Sequence, residues 1–481
     1  MHNQLKQALH RIGYLQSTTQ SNLTHYSVIS NSDSTYTAQS LFEYLYIAGY
    51  LDKAILRQAE SYLKSEAAFA NPSVNLAKQL SDAVNQATTD KGFNAPTFLK
   101  QTEDIEGLDQ QDFMDVVLFL QQTAFGRLPG QERHEIQPSE NLAQHADTFI
   151  GNARQLGVVN EIQPSKQHYS AMAIMGASYR AVVPRIEYFQ KLIREQAIQY
   201  DKLFVSSGYR DLKPGLDGAA NLAKLVQYYA NSTDKEVYFA TTQTHDDGSK
   251  QVECVHYDSE NNTFYDHRGI EVHQSQVYLE GLQEHDMIDY LMQHEYGFAP
   301  DDYITVKGKK AHPNYRATTQ TSAQELAGYI DDLAFNSDTH QNLLIIAEQP
   351  HTQRMTWQTQ QQMDQHCQTA KVNVEGCGNP ISNNVRENPA YYRGSLAKIN
   401  SALASQMKTR CEIARDTMQN QEGIPIKRGM EIMSYNQRDK RFKLNQTENK
   451  AVQNKNEVFK ELLNKASYPQ TEEHIVTHSP S

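Results

Sequence analysis

Cysteine, tryptophan and long apolar runs are all scarce in this chain. Four cysteines (Cys254, Cys367, Cys377 and Cys411) occur in 481 residues, and no two form a CxxC pair. That spacing argues against a disulfide framework and against a zinc ribbon, so a reducing, cytoplasmic setting is expected. No stretch approaches the ~20 apolar residues of a membrane helix. The opening MHNQLKQALHRIGYLQ has neither an apolar h-region nor a small-residue cleavage site. A host-directed effector exported without a cleaved signal would carry the same marks.

Positive charge is also in short supply. Lys and Arg total 45 against 57 Asp and Glu, a formal charge of −12. Such a balance gives no field for gathering phosphate backbones or anionic lipid, so neither nucleic acid nor membrane is an expected partner. The sequence has no GxxxxGK[ST], GxGxxG or HExxH. Ordinary P-loop NTPases, dehydrogenases and zincins are therefore set aside.

What is present points to several folding units, because ~100–200 residues make one domain. Hydrophobic residues make up 38% and mean hydropathy is −0.69, so polar segments dilute an ordered core. Residues 1–128 read as helical, with Leu41, Tyr44, Leu45, Ala48, Leu51 and Leu56 at mostly three- and four-residue spacing. Asn71-Pro72-Ser73 and Asn94-Ala95-Pro96 supply breaks and caps. Residues 129–167 read as a polar linker, and 435–481 as a polar, mobile tail.

Between these, 168–434 alternates short apolar runs with helical patterns. YSAMAIMGAS leads into VVPRIEYFQKLIREQAI and then DKLFVSSGYR; DDYITVKGK, a helix, NLLIIAEQP and another helix follow. This rhythm predicts an α/β domain in three layers, a mostly parallel sheet covered by helices. The segment 211–283 breaks it and reads as a β-meander insertion of three strands, with turns at Asp-Asp-Gly-Ser and Glu-Asn-Asn.

In such a sheet ligands gather outside the carboxyl ends of the strands, where helix N-termini aim N–H groups at one crevice. The residues after the four expected strands are Gly176, Ala177, Ser178 and Arg180; Ser207, Gly208 and Arg210; Arg316, Thr318 and Thr319; and Gln349, His351 and Arg354. Gly176 and Gly208 would let backbone approach a ligand, while the arginines and hydroxyls would bind phosphate or carboxylate oxygens. The expected ligand is a small anionic molecule. Glu284 and His351 are the catalytic candidates, as acid or base and as proton shuttle. His256, His267, Asp258 and Asp266 could hold a metal only if neighbouring strands aligned them, and they read as turn and surface groups, with no metal expected.

These segments resemble the YdcF/SanA/ElyC family over about residues 169–367. AIMGASYRAVVPRIEYFQKL resembles its first strand and helix, in which a glycine-bearing strand end leads into a helix with an arginine. KLFVSSGYR is similar to its "SGG" strand end, with Tyr209 where a second glycine is usual. Glu284 falls on the family's glutamate, and His351 and Arg354 match the polar residue and arginine after the last strand. The resemblance implies a Rossmann-like domain binding a nucleotide-like small molecule, with S-adenosylmethionine the cofactor put forward for one branch. A transferase or a hydrolase is the enzymatic form of that reading. The alternative is a non-enzymatic interaction protein, host-directed in one version, whose helical N-terminal region and meander bind a protein partner on an inert α/β scaffold. A third reading places a metal- or Cys254-dependent hydrolase on the meander.

Overall fold

A computed structural model of the chain describes residues 42–48, 51, 56, 72–89, 92–102, 142, 144–232, 235–245, 248–309, 317–334, 341–381, 399 and 409. Arg316, Cys411, the tail 435–481 and most of the region 1–128 lie outside the described residues.

In the N-terminal region residues 42–47 are helical, as are α1 (Pro72–Ala87) and α2 (Ala95–Gln101). The two-residue strands β1 (Thr88–Thr89) and β2 (Gly92–Phe93) pair between those two helices. Asn94 caps α2 by accepting the Thr97 amide at 2.8 Å, as the Asn-Ala-Pro signal predicts. The stretch expected as a polar linker contains α3 (Ala146–Gln155). Its Phe149 is fully buried and stacks on Tyr44 with ring centroids 4.2 Å apart.

The α/β domain begins with β3 (His168–Met175), α4 (Tyr179–Glu195) and β4 (Gln199–Gly208). The insertion follows. It holds β5 (Asp211–Leu212), a four-residue helix α5 (Pro214–Asp217) and helix α6 (Ala219–Ser232). Strands β6 (Tyr238–Thr244), β7 (Lys250–Cys254), β8 (His256–Asp258), β9 (Thr263–Tyr265), β10 (Glu271–Val272) and β11 (Val277–Gln283) complete it. The chain then returns through α7 (Glu284–Tyr290), β12 (Ile304–Gly308), α8 (Thr319–Ala334), β13 (Gln341–Glu348), α9 (Thr352–His366) and β14 (Val372–Asn379).

Five strands form one parallel sheet in the order β12-β4-β3-β13-β14. Central strands buried on both faces are near-continuous apolar runs, and Ala171 to Met175 are all buried. Alternation splits them. Met172 and Ile174 join one core with Val182, Ile186 and Phe189 of α4 and Met287 and Ile288 of α7. Ala171, Ala173 and Met175 join the other, with Leu326, Ala327 and Ile330 of α8 and Met355 and Met363 of α9. Helices thus cover both faces.

The insertion is richer than a three-strand meander. It forms a four-stranded antiparallel sheet, β5-β11-β6-β7, and a three-stranded one, β10-β9-β8. Helix α6 was not anticipated, although Leu222 and Leu225 bury its inner face in the first core. Both expected turns are used, with Gly248 at φ +81° and Asn262 at φ +53° in the left-handed region. Strand β14 was also unforeseen, because VNVEGCGN has two glycines and little alternation. Those glycines belong to packing. A Cβ on Gly376 or Gly378 would run into Thr356 or Thr352 of α9, which lies directly against the strand. Among the described residues no helix is long and apolar enough to cross a membrane.

Candidate functional site

At the carboxyl end of β3 the Gly176 amide donates to the Ser206 carbonyl of β4. A Cβ on Gly176 would lie 2.6 Å from that oxygen, 2.7 Å from Oε1 of Glu284 and 2.9 Å from Cα of Ser207. Only glycine fits.

The group pressed against it is the Glu284 carboxylate, carried in by the first residue of α7. Two bonds fix the start of that helix. Glu284 N–H donates to Arg210 O at 3.0 Å, and the Gln283 amide donates to the Asp286 carboxylate at 2.8 Å. Oε1 of Glu284 accepts the Gly208 amide at 3.3 Å and the Ser207 hydroxyl at 3.5 Å. Its Oε2 accepts Arg210 Nε at 2.7 Å. Glu284 is 7% exposed.

Arg210 continues into Asp217, which closes α5. Both terminal nitrogens donate to that carboxylate at 2.9 Å. Asp217 is fully buried and also accepts the amides of Tyr179 and Lys213 at 2.9 Å. One carboxylate therefore caps the N-terminus of α4 and clamps the arginine. Burial alone would lower the Arg210 pKa, but Asp217 and Glu284 more than reverse it, and the guanidinium is held above its ordinary value.

On the other side of β3, Arg185 of α4 is 1% exposed. Its Nη1 donates to the carbonyls of Met175 and, at 2.9 Å, of Gly176. Its Nη2 lies 4.0 Å from the Glu348 carboxylate at the end of β13. Burial lowers its pKa, with Glu348 and Glu284 opposing. Two buried guanidinium groups thus stand among three carboxylates.

Gly176, Ser207, Gly208 and Arg210, which the sequence reading placed at two strand ends, therefore converge with Glu284, which it took from the resemblance. Ala177 and Ser178 form the half-buried turn before α4, and Arg180 is exposed in its first turn. Past β12, a Cβ on Gly208 would lie 2.8 Å from Ala317 Cβ. Thr318 and Thr321 exchange hydrogen bonds at the start of α8, with Thr318 exposed and Thr319 half-buried. After β13, Gln349 donates through Nε2 to the carbonyls of Gly157 and Asn160, at 3.0 and 2.8 Å. His351 is buried at the start of α9, and Arg354 donates to Gln358 at 2.8 Å.

Sequence reasoning missed Arg185, Asp217 and Glu348. Arg185 had a signal, for it falls on the apolar stripe of α4 with Val182, Ile186 and Phe189, where an arginine is out of place. Asp217 sits in a short Pro-Gly-Leu-Asp-Gly turn that shows nothing of its reach to α4.

The meander groups serve turns. Asp258 accepts the amides of Glu260 and Asn261, and Asp266 those of Arg268 and Ile270 together with the Arg268 guanidinium. Cys254 and His256 are exposed. Among the described residues no three His, Cys, Asp or Glu side chains stand close enough to hold a metal ion. Burial pushes the Cys367 thiol up to about 12 and raises that of Cys377 as well, so neither is a ready thiolate. No protein-family model, curated protein or solved structure matches the chain.

Proposed function

We propose that the crevice at the carboxyl edge of the parallel sheet binds a nucleotide-like or S-adenosylmethionine-like small molecule, in a Rossmann-like domain of the YdcF/SanA/ElyC kind. The observation that carries this reading is the strand order. Neighbouring strands β3 and β13 send their following helices, α4 and α9, to opposite faces of the sheet. Loops that part in this way open a crevice at the topological switch point, the usual ligand site of open α/β sheets. The sequence resemblance over residues 169–367 supports the same assignment.

In this reading Glu284 accepts the ligand's hydroxyl groups, while Gly176 and Gly208, expected to admit the ligand, instead make room for Ser206, Glu284 and Ala317 of the protein itself. His351, Arg354, Thr318 and Thr319 line the remaining strand ends, and Arg316, outside the described residues, is kept as a candidate donor to the ligand. Were the chemistry group transfer or hydrolysis, Glu284 and His351 are the residues that would move protons.

A thermal-shift titration with S-adenosylmethionine, adenine nucleotides and sugar phosphates tests it. Saturable stabilisation is expected, ~2.7 kcal/mol at a hundredfold excess over Kd. Replacing Arg316 and Arg354 together by alanine should abolish it. A chain that no probe stabilises refutes the function, and an unchanged response in the double variant removes those two arginines from the site.

A further inference from the structure

An open α/β sheet usually seats phosphate on backbone N–H groups, at the start of the helix after the first strand. Here one of those amides is already engaged. The Tyr179 amide at the start of α4 donates to Asp217, which is fully buried. The next backbone donor, Gly208 N–H at the end of β4, goes to Glu284. The Ser207 hydroxyl and three Arg210 nitrogens go to the same two carboxylates. Every one of these donors is of the kind that binds a phosphoryl oxygen.

Resting on the crevice reading above, we propose that Glu284 and Asp217 are built-in anions occupying the phosphate seats of the β3–β4 half of the site. This half refuses phosphate and accepts only a neutral, hydroxyl-bearing or cationic part of the ligand. An incoming phosphate would have to displace Glu284, held by three donors, or Asp217, held by four, and would meet the other carboxylate beside it. Ribose-type hydroxyls, by contrast, can donate to the small part of Glu284 that is not covered, 7% of the residue. Any anionic group of the ligand is thereby directed to the β13–α9 half. Glu284 is then a determinant of ligand charge, a different role from the proton transfer expected of it.

Inorganic phosphate is a sufficient probe. Phosphate is titrated at constant ionic strength against the wild-type chain, Glu284→Gln, Asp217→Asn and the charge-retaining Glu284→Asp. Thermal shift reads affinity, and hydrogen exchange with mass spectrometry reads location. In Glu284→Gln, phosphate should bind about tenfold or more tightly than in wild type and should protect peptides covering 176–180 and 207–211. Asp217→Asn should gain protection at 176–180, and Glu284→Asp should gain little. Equal phosphate responses in wild type and Glu284→Gln overturn the proposal. So does protection of these peptides in the unaltered chain, a result that needs no variant to fold. If no nucleoside-type probe binds wild type, the proposed function fails while the phosphate gain can still appear. If a nucleoside binds but the gain is missing, only the charge selection fails.

Discussion

Replacing Arg185 by methionine tests how the carboxyl end of β3 is held. Methionine keeps most of the apolar stem against α4 and removes the guanidinium. Two charge-assisted bonds to consecutive carbonyls, Met175 O and Gly176 O, are lost, at ~1.5–3 kcal/mol each. Glu348 also loses its buried counter-charge. Relief of the guanidinium's own burial offsets part of this, as its lowered pKa indicates. The net cost expected is about 3–5 kcal/mol, the range for breaking a buried ionic arrangement from one side. At 4.0 Å the direct ion pair is the smaller share, so a double-mutant cycle with Glu348→Gln should give a coupling of ~1 kcal/mol or less. Urea unfolding followed by circular dichroism measures both quantities. If Arg185→Met lies within ~1 kcal/mol of wild type, the carbonyl clamp has no energetic weight. A coupling of ~3 kcal/mol or more would make the ion pair, and not the carbonyls, the reason for burying an arginine here.

Three further outcomes follow from the same geometry. Gly176→Ala should cost about 1–3 kcal/mol by overpacking and abolish ligand-induced stabilisation, because the new Cβ must push Glu284 aside; an unchanged melting temperature would show that the strand end yields. Asp331 is pushed up by burial, but donors from Thr369 and Ala370 prevail and hold it at about 2 against an ordinary 3.8. Its contribution is present above pH ~4 and is lost as pH falls through about 2, so Asp331→Asn should flatten that part of an acid-unfolding curve. Among the described thiols, native alkylation at mildly alkaline pH should label the exposed Cys254, with Cys367 and Cys377 reacting only after unfolding; mass spectrometry of tryptic peptides reads the order.

The parallel core was legible because its strands are buried on both faces and read as unbroken apolar runs, as in Ala171–Met175 and Leu343–Ala347. Glycine and serine at the strand ends marked Gly176, Ser207 and Gly208 for the same reason: backbone passes close there. Strand β14 was hidden because its sequence is dictated by α9, which demands glycine at Gly376 and Gly378 and leaves no alternation to read. Helix α6 was hidden by the strand-like segments after it. In the site, residue type was visible but partnership was not. An arginine after a strand reads as a ligand donor, yet Arg210 spends its nitrogens on Glu284 and on Asp217. That pairing is set by α5 and α7 returning to the same strand end, and no local pattern encodes it.

One connection reaches beyond the parallel sheet. The segment before β3 is stitched to the carboxyl ends of β13 and β14: Gln349 holds Gly157 and Asn160, Ile162 forms an antiparallel bridge with Gly378, and Ile381 N–H donates to Val159. A few residues upstream, Phe149 of α3 grips Tyr44. The rim at Gln349 and the seat of α3 against Tyr44 are thus joined by one short stretch of chain, residues 149–162.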